Sequence, residues 1–206
     1  MFDWNGTLFD DLNLMYLSAS NIFHHYKVPA PSLEEFRNEV TANFMEFYYA
    51  HGIPKTESLD DLVDIHRAYI KNRLFEPQLH HNAKELLWHC KRSNIYAAVV
   101  SAENRQILKQ RLEHYGLMSR LHNWRGGAFN KKAAFREMLD IFQCEPREAF
   151  YVDDIASGIL DAKGLGIATF GVTHGYNSTN RIAAAKPDYL VNSLGEVIEI
   201  LNKEMP

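Results

Sequence analysis

The apolar positions along this 206-residue chain change their period near residue 80. Before it they recur at helical spacing. Leu12, Met15, Tyr16, Ala19, Ile22, Phe23 and Tyr26 share one face, and Pro29 and Pro31 end that helix. Ser32 with Glu35 is a capping-box pattern, which predicts a second helix running toward Tyr49, with Gly52 and Pro54 as its stop. Ser58 with Asp61 opens a third, extending to about Phe75 ahead of Pro77. No strand is expected between 12 and about 80.

From about 82 onward helix and strand patterns alternate. Residues 83–92 read as a helix. Ile95 to Val100 is an unbroken apolar run, as in a buried parallel strand. A helix over 104–115 turns Ile107, Leu108, Leu112 and Tyr115 inward, and a short strand is expected at 121–124. Phe135, Met138, Leu139 and Phe142 sit at i, i+3, i+4 and i+7, a helix face. Ala149 to Val152 reads as a strand, 156–164 as a helix ended by Gly164 or Gly166, Ile167 to Val172 and Tyr189 to Val191 as strands. Ser193 with Glu196 caps a final helix. This alternation predicts an α/β fold, a doubly wound, Rossmann-like parallel sheet formed by residues 1–11 and 82–206, with an all-helical cap, residues 12–81, inserted into it.

Composition narrows the function classes. Hydrophobic residues make up 46% and charged residues 23%, as in globular domains. The net charge of −4 and the lack of a basic stripe argue against a nucleic-acid partner. No apolar run approaches the ~20 residues that span a bilayer, so no membrane role is expected. No signal peptide is visible, and two lone cysteines, Cys90 and Cys144, fit a reducing compartment; the expected location is the cytoplasm.

Ligands of such sheets gather beyond the carboxyl ends of the strands. Four groups of polar residues fall there: Asp3 and Asn5 before the Gly6-Thr7 turn, Ser101 after the 95–100 strand, Lys131 and Lys132 opening the helix of Phe135, and Asp153 with Asp154 after the strand ending at Val152. Converging carboxylates repel unless a cation sits among them, and oxygen ligands favour Mg²⁺. Ser101 at a helix N-terminus offers a hydroxyl and backbone N–H groups to an anion. Lysine adds charge where phosphoryl oxygens gather, and an aspartate can be the nucleophile. The tempting pairs His24-His25 and His80-His81 lack metal-ligand spacing and read as surface or cap residues. His174 reads as a loop residue. The aromatic run Phe44, Phe47, Tyr48 and Tyr49 reads as core of the cap, and Trp4 as core of the sheet.

Phe2-Asp3-Trp4-Asn5-Gly6-Thr7-Leu8-Phe9-Asp10 resembles the first motif of the haloacid-dehalogenase-like (HAD) hydrolase superfamily. Ala98 to Ser101 resembles the second motif, the Lys131 region the third, and Tyr151 to Asp154 followed by Asp161 to Ile167 the fourth. The order and spacing resemble the phosphoglycolate-phosphatase-like branch. That resemblance implies a Mg²⁺-dependent phosphatase acting on a small phosphorylated metabolite through an aspartyl-phosphate. It implies Asp3 as nucleophile and metal ligand, the Asn5 carbonyl as a second ligand, Ser101 and Ala102 as phosphoryl-binding residues, Lys131 as charge stabiliser with Lys132 as the alternative register, and Asp153 and Asp154 as completing the metal site.

Three departures stand out. The family's phosphatases carry an acid where this chain has Asn5, and an amide cannot hand over a proton; the second reading is therefore a low-turnover or non-catalytic HAD-like binding or regulatory protein. Asp153 stands at the family's glycine position and Gly158 at that of its later acid. Finally, the family places a buried central strand before the nucleophile, where this chain has only Met1 and Phe2. That predicts either a chain truncated at its start, the preferred reading, or a gap in the sheet beside Asp3.

Overall fold

Alternation of side chains across the strands separates two apolar cores, one on each face of the sheet. The computed structural model describes residues 1–41 and 44–204. In chain order the elements are β1 (Phe9–Asp10), α1 (Leu12–His25), α2 (Leu33–Glu39), α3 (Phe44–Ala50), α4 (Leu59–Ile70), β2 (Gln78–Leu79), α5 (Ala83–Arg92), β3 (Ala98–Val100), α6 (Arg105–His114), β4 (Asn123–Arg125), α7 (Lys131–Phe142), β5 (Phe150–Asp153), α8 (Ala156–Lys163), β6 (Ala168–Val172), α9 (Thr179–Ala184), β7 (Tyr189–Val191) and α10 (Leu194–Glu204). Val99 and Val152 point to one face, where they meet Leu86, Leu108 and Val197 of α5, α6 and α10. Ala98, Val100 and Tyr151 point to the other, against Phe135, Met138 and Ala162 of α7 and α8. The sheet is parallel and doubly wound, with β3 beside β4, and β6 between β5 and β7.

The first residues of the chain join these two halves. Phe2 pairs in parallel with Val99 of β3 and Val152 of β5. Phe2 N–H donates to Ala98 O and Asp3 N–H to Val152 O, while Val100 and Val152 donate back to Phe2 O and Met1 O. The alternative reading of a gap in the sheet beside Asp3 is not met, since Met1–Asp3 bridge β3 and β5 there. Phe2 and Trp4 are fully buried, and Trp4 stacks on Phe9 with ring centroids 5.1 Å apart.

The helical cap leaves the core through β1 and returns through β2, which pair antiparallel. A two-residue strand at the return was not expected from the pattern. Phe23, Phe36, Phe47 and Leu62 form the cap's own apolar cluster, which also takes in Tyr176 from beyond β6. The single helix expected from Ser32 toward Tyr49 is instead two, because Val40 is extended (φ −60°, ψ 133°); residues 42 and 43 of that prediction lie outside the described residues. Its start at the Ser32–Glu35 capping box is as expected, and so is the Ser58–Asp61 box of α4. α4 stops at Ile70 rather than near Phe75, the 95–100 strand shortens to β3, and α9 was not anticipated. Among the described residues, no helix is long and apolar enough to cross a membrane.

Candidate active site

Two neighbouring strand ends carry three acids, and the parallel register delivers them to one point. Asp3 leaves the central segment, and Asp153 and Asp154 leave β5 beside it. One oxygen from each of the three lies within 4.8 Å of the others, and all three residues are buried. Lys131, the first residue of α7, reaches into this group. Its Nζ donates to Asp3 Oδ1 at 2.7 Å, to Val100 O at 3.0 Å and to the Tyr151 hydroxyl at 2.6 Å. Lys132 points away and pairs with Asp161 at 3.4 Å.

Electrostatics follow from three acids facing one ammonium. Burial pushes Asp153 up to about 7; Lys131 opposes this and Asp3 adds to it. Asp154 lies well above the usual carboxylate range, first through burial and then through repulsion from Asp153 and Asp3. Burial pulls Lys131 down, yet the three carboxylates outweigh it and its pKa ends raised. The donor set is all hard oxygen, tightly spaced and short of positive charge, which fits a divalent cation such as Mg²⁺.

Asp154 is held rigidly. Thr7 Oγ1 donates to its Oδ1 at 2.6 Å and the Tyr176 N–H to its Oδ2 at 2.7 Å. The backbone must come close for this. A Cβ on Gly6, whose φ is +74°, would lie 2.2 Å from Asp154 Oδ2. A Cβ on Gly158 would lie 1.8 Å from Asp153 Oδ2, so the carboxylate from 153 fills the space a side chain at 158 would need.

Asn5 sits between donors and acceptors that fix its amide. Nδ2 donates to Asp11 Oδ2 at 2.5 Å and to Glu103 Oε2 at 3.5 Å, while Oδ1 accepts from Ser101 Oγ at 3.3 Å. The opposite orientation would set the amide oxygen against two carboxylates. Asp11 is fully buried; burial raises it to about 6, with Asn5 and Arg111 opposing. It also accepts from Gly6 N–H and the Tyr176 hydroxyl. Glu103 is paired with the buried Arg111 at 2.6 Å.

Ser101 precedes α6 without capping it: Asn104 is the cap, accepting from Gln106 and Ile107 N–H. Ser101 is buried, accepts from Glu103 N–H and faces Asn5, and Ala102 follows it on the exposed turn. His24 and His25 are exposed at the end of α1. His80 and His174 stack on each other, 3.9 Å between ring centroids, near the β1–β2 pair. Asp11, Glu103, Tyr151 and Tyr176 were missed. Tyr176 could have been found, since it follows the carboxyl end of β6, and Glu103, two residues beyond Ser101, by the same rule.

A family model described as haloacid dehalogenase-like hydrolase matches residues 1–172. A phosphoglycolate phosphatase of Vibrio parahaemolyticus is 29% identical, covering 97% of this chain and 94% of that protein. One of Vibrio cholerae is 25% identical, covering 97% and 95%. Among solved structures, a predicted phosphatase from Clostridium acetobutylicum superposes with a TM-score of 0.82 at 22% identity, over 98% of this chain and 96% of that one. A predicted phosphoglycolate phosphatase from Haemophilus somnus gives 0.76 at 22%, over 97% and 95%. At that identity the structures speak for the fold.

Proposed function

We propose, because the chain belongs to the haloacid dehalogenase-like hydrolase family, that it is a phosphatase-like hydrolase which cleaves small phosphate monoesters through an aspartyl-phosphate on Asp3. The observation that carries this is the hold of Lys131 on Asp3 beside Asp153 and Asp154. Lys131 occupies Asp3 Oδ1, which leaves Oδ2 to attack phosphorus. As the Oδ2–P bond forms, the bond from phosphorus to the leaving oxygen breaks. That oxygen takes its proton from water, since the Asn5 amide has none to give. Water then attacks phosphorus, the Oδ2–P bond breaks, and phosphate and the free Asp3 carboxylate result. Ser101 Oγ and the backbone at Ala102 would hold the phosphoryl oxygens, and Lys131 balances their charge. Asp3, Asp153, Asp154 and the Asn5 carbonyl are the groups that would hold Mg²⁺, which when bound neutralises phosphoryl charge.

The test is phosphate release from a panel of small monoesters, with and without Mg²⁺. Phosphoglycolate belongs in that panel because the Vibrio relatives are named for it. Metal-dependent release that disappears in Asp3→Asn is expected; no release at high enzyme concentration from any ester overturns the proposal. A low-turnover binding role is the second reading. The clamped amide of Asn5 favours it, and tight metal and phosphate binding without turnover would mark it.

A further inference from the structure

One peptide group is held by the cap on one side and by the acidic cluster on the other. Arg37, on α2 of the cap, spreads its guanidinium over the loop that follows β6 in the core. Nε donates to Gly175 O at 3.1 Å, and Nη2 to Thr173 O at 2.9 Å and Asn177 O at 3.2 Å. The Gly175–Tyr176 peptide therefore has its carbonyl on Arg37 and its N–H on Asp154 Oδ2, at 2.7 Å. A planar trans peptide sends these two groups in opposite directions, so a cation of the cap and a carboxyl oxygen of the site hold the same unit from either side. The loop backbone lies close against this carboxyl: a Cβ on Gly175 would lie 2.2 Å from Asp154 Oδ2. The next residue's N–H, that of Asn177, donates to Asp154 O. The Tyr176 ring, packed against Phe36 of α2, carries its hydroxyl to Asp11.

We propose that Arg37 is a positioning residue for Asp154 and Asp11, acting through the Gly175–Tyr176 peptide, so that seating of the cap and order in the acidic cluster are one event. The proposal rests on the reading of Asp154 as part of the phosphoryl and metal site. Its chemistry is separable from mere cap docking. Arg181, on α9 of the core, also ties the cap down, through Asn38 O and Val40 O, but it touches neither Gly175 nor Asp154. Asn177 Nδ2 adds a further tie to Val40 O.

The experiment compares Arg37→Ala, Arg37→Lys, Arg37→Gln and Arg181→Ala in the full chain by two readouts. One is amide hydrogen exchange resolved at Tyr176 in metal-free protein; the other is Mg²⁺ affinity by calorimetry. Loss of a charge-assisted hydrogen bond corresponds to roughly ten- to hundredfold in an equilibrium. Arg37→Ala should thus speed exchange at Tyr176 at least about tenfold and weaken Mg²⁺ binding by a similar factor. Arg37→Lys should recover part of both, because an ammonium can serve some of the three carbonyls. Arg181→Ala should leave both within about threefold of the parent, as a lost contact to neither Gly175 nor Asp154 requires. Unchanged protection of Tyr176 in Arg37→Ala overturns the proposal, and so does an Arg181→Ala variant that matches it in both readouts. If Arg37→Ala fails to fold, Arg37→Gln carries the comparison, and parental exchange at Tyr176 in that variant overturns it equally. The exchange arm needs neither metal nor turnover. A chain that releases no phosphate yet loses Tyr176 protection in Arg37→Ala overturns the phosphatase proposal and leaves the coupling in place.

Discussion

Restoring an acid at position 5 is the perturbation that most directly probes the missing proton donor, and the structure says it will not act alone. Asn5→Asp would gain the proton-transfer step, worth roughly 10²–10⁴ in rate, or about 3–5 kcal/mol. The same change replaces Nδ2 by an oxygen 2.5 Å from Asp11 Oδ2 and 3.5 Å from Glu103 Oε2. At an effective dielectric constant of about 20, two full charges at that shorter distance repel by about 7 kcal/mol, more than the gain. The introduced carboxylate and that of Asp11 must therefore keep one proton between them at neutral pH, as closely spaced carboxylates do. Asp11 is predisposed to this, with its pKa already raised to about 6 by burial. The expected result is a rise in turnover of alkyl phosphates in Asn5→Asp, with a lowered Tm. In Asn5→Asp combined with Asp11→Ser the rise should be larger and the Tm recovered. p-Nitrophenyl phosphate is the control, because its leaving group departs without a proton; its turnover should move little. Equal gains on alkyl and aryl esters would refute proton donation. No gain in a folded, Mg²⁺-binding double variant would refute the role of position 5 altogether.

Three further outcomes follow from contacts at and near the site. Lys131→Met should lower kcat by about 10²–10³-fold, as loss of a charge aimed at the developing phosphoryl charge does, whereas Lys132→Met should stay near the parent, since Lys132 is exposed and pairs with Asp161 away from Asp3; phosphate release with circular dichroism as the fold check separates them. Gly158→Ala should weaken Mg²⁺ binding, because its Cβ falls 1.8 Å from Asp153 Oδ2, and the exchange Asp153→Gly with Gly158→Asp should recover most of the affinity in calorimetry. His66, which bonds Ser18 Oγ at 2.7 Å, is lowered from 6.5 to about 4 by burial first and by Arg111 and Arg67 after it. The unfolded chain then binds the proton that the folded one refuses, so stability is lost as pH falls from 6.5 toward 4, by up to about 3 kcal/mol; denaturant titrations should show that slope flattened in His66→Asn, and an identical slope in the variant would refute it.

The parts of the fold that were legible in the sequence are those whose own residues decide them. β5, β6 and β7 are apolar runs between turns, and α7 carries its buried face at helical spacing whatever surrounds it. The misreadings occur where a distant group takes over a backbone atom. Val40 leaves the helical path while its carbonyl accepts from Asn177 and Arg181 of the core, so the helix that began at Ser32 ends there. Past Ile70 the chain turns instead of continuing α4, and Leu74 O is taken by the buried Arg111. Ala97 N–H goes to the His122 ring rather than to a strand, which shortens β3. β1 and β2 are two residues each, and only their pairing across the cap makes them strands. None of these partners lies within a window that local periodicity can see.

The same division runs through the site. Asp3, Ser101, Lys131, Asp153 and Asp154 were marked by their places at strand ends, and the structure brings Asp3, Lys131, Asp153 and Asp154 together, with Ser101 reached through Asn5. What one-dimensional reading treated as separate departures are neighbours in space. Asp153 and Gly158 were noted as two mismatches to a motif, yet the carboxylate of one occupies the room left by the other, so they form a single exchange. Asn5 and Asp11 stand in the same relation: the amide at 5 donates to a buried acid at 11, and an acid at 5 would have to share a proton with it. Substitution effects at either pair must therefore be non-additive, as for any residues in direct contact. A single change at either pair should carry a cost in stability or metal affinity that the paired change recovers, and only the paired change measures what each position contributes.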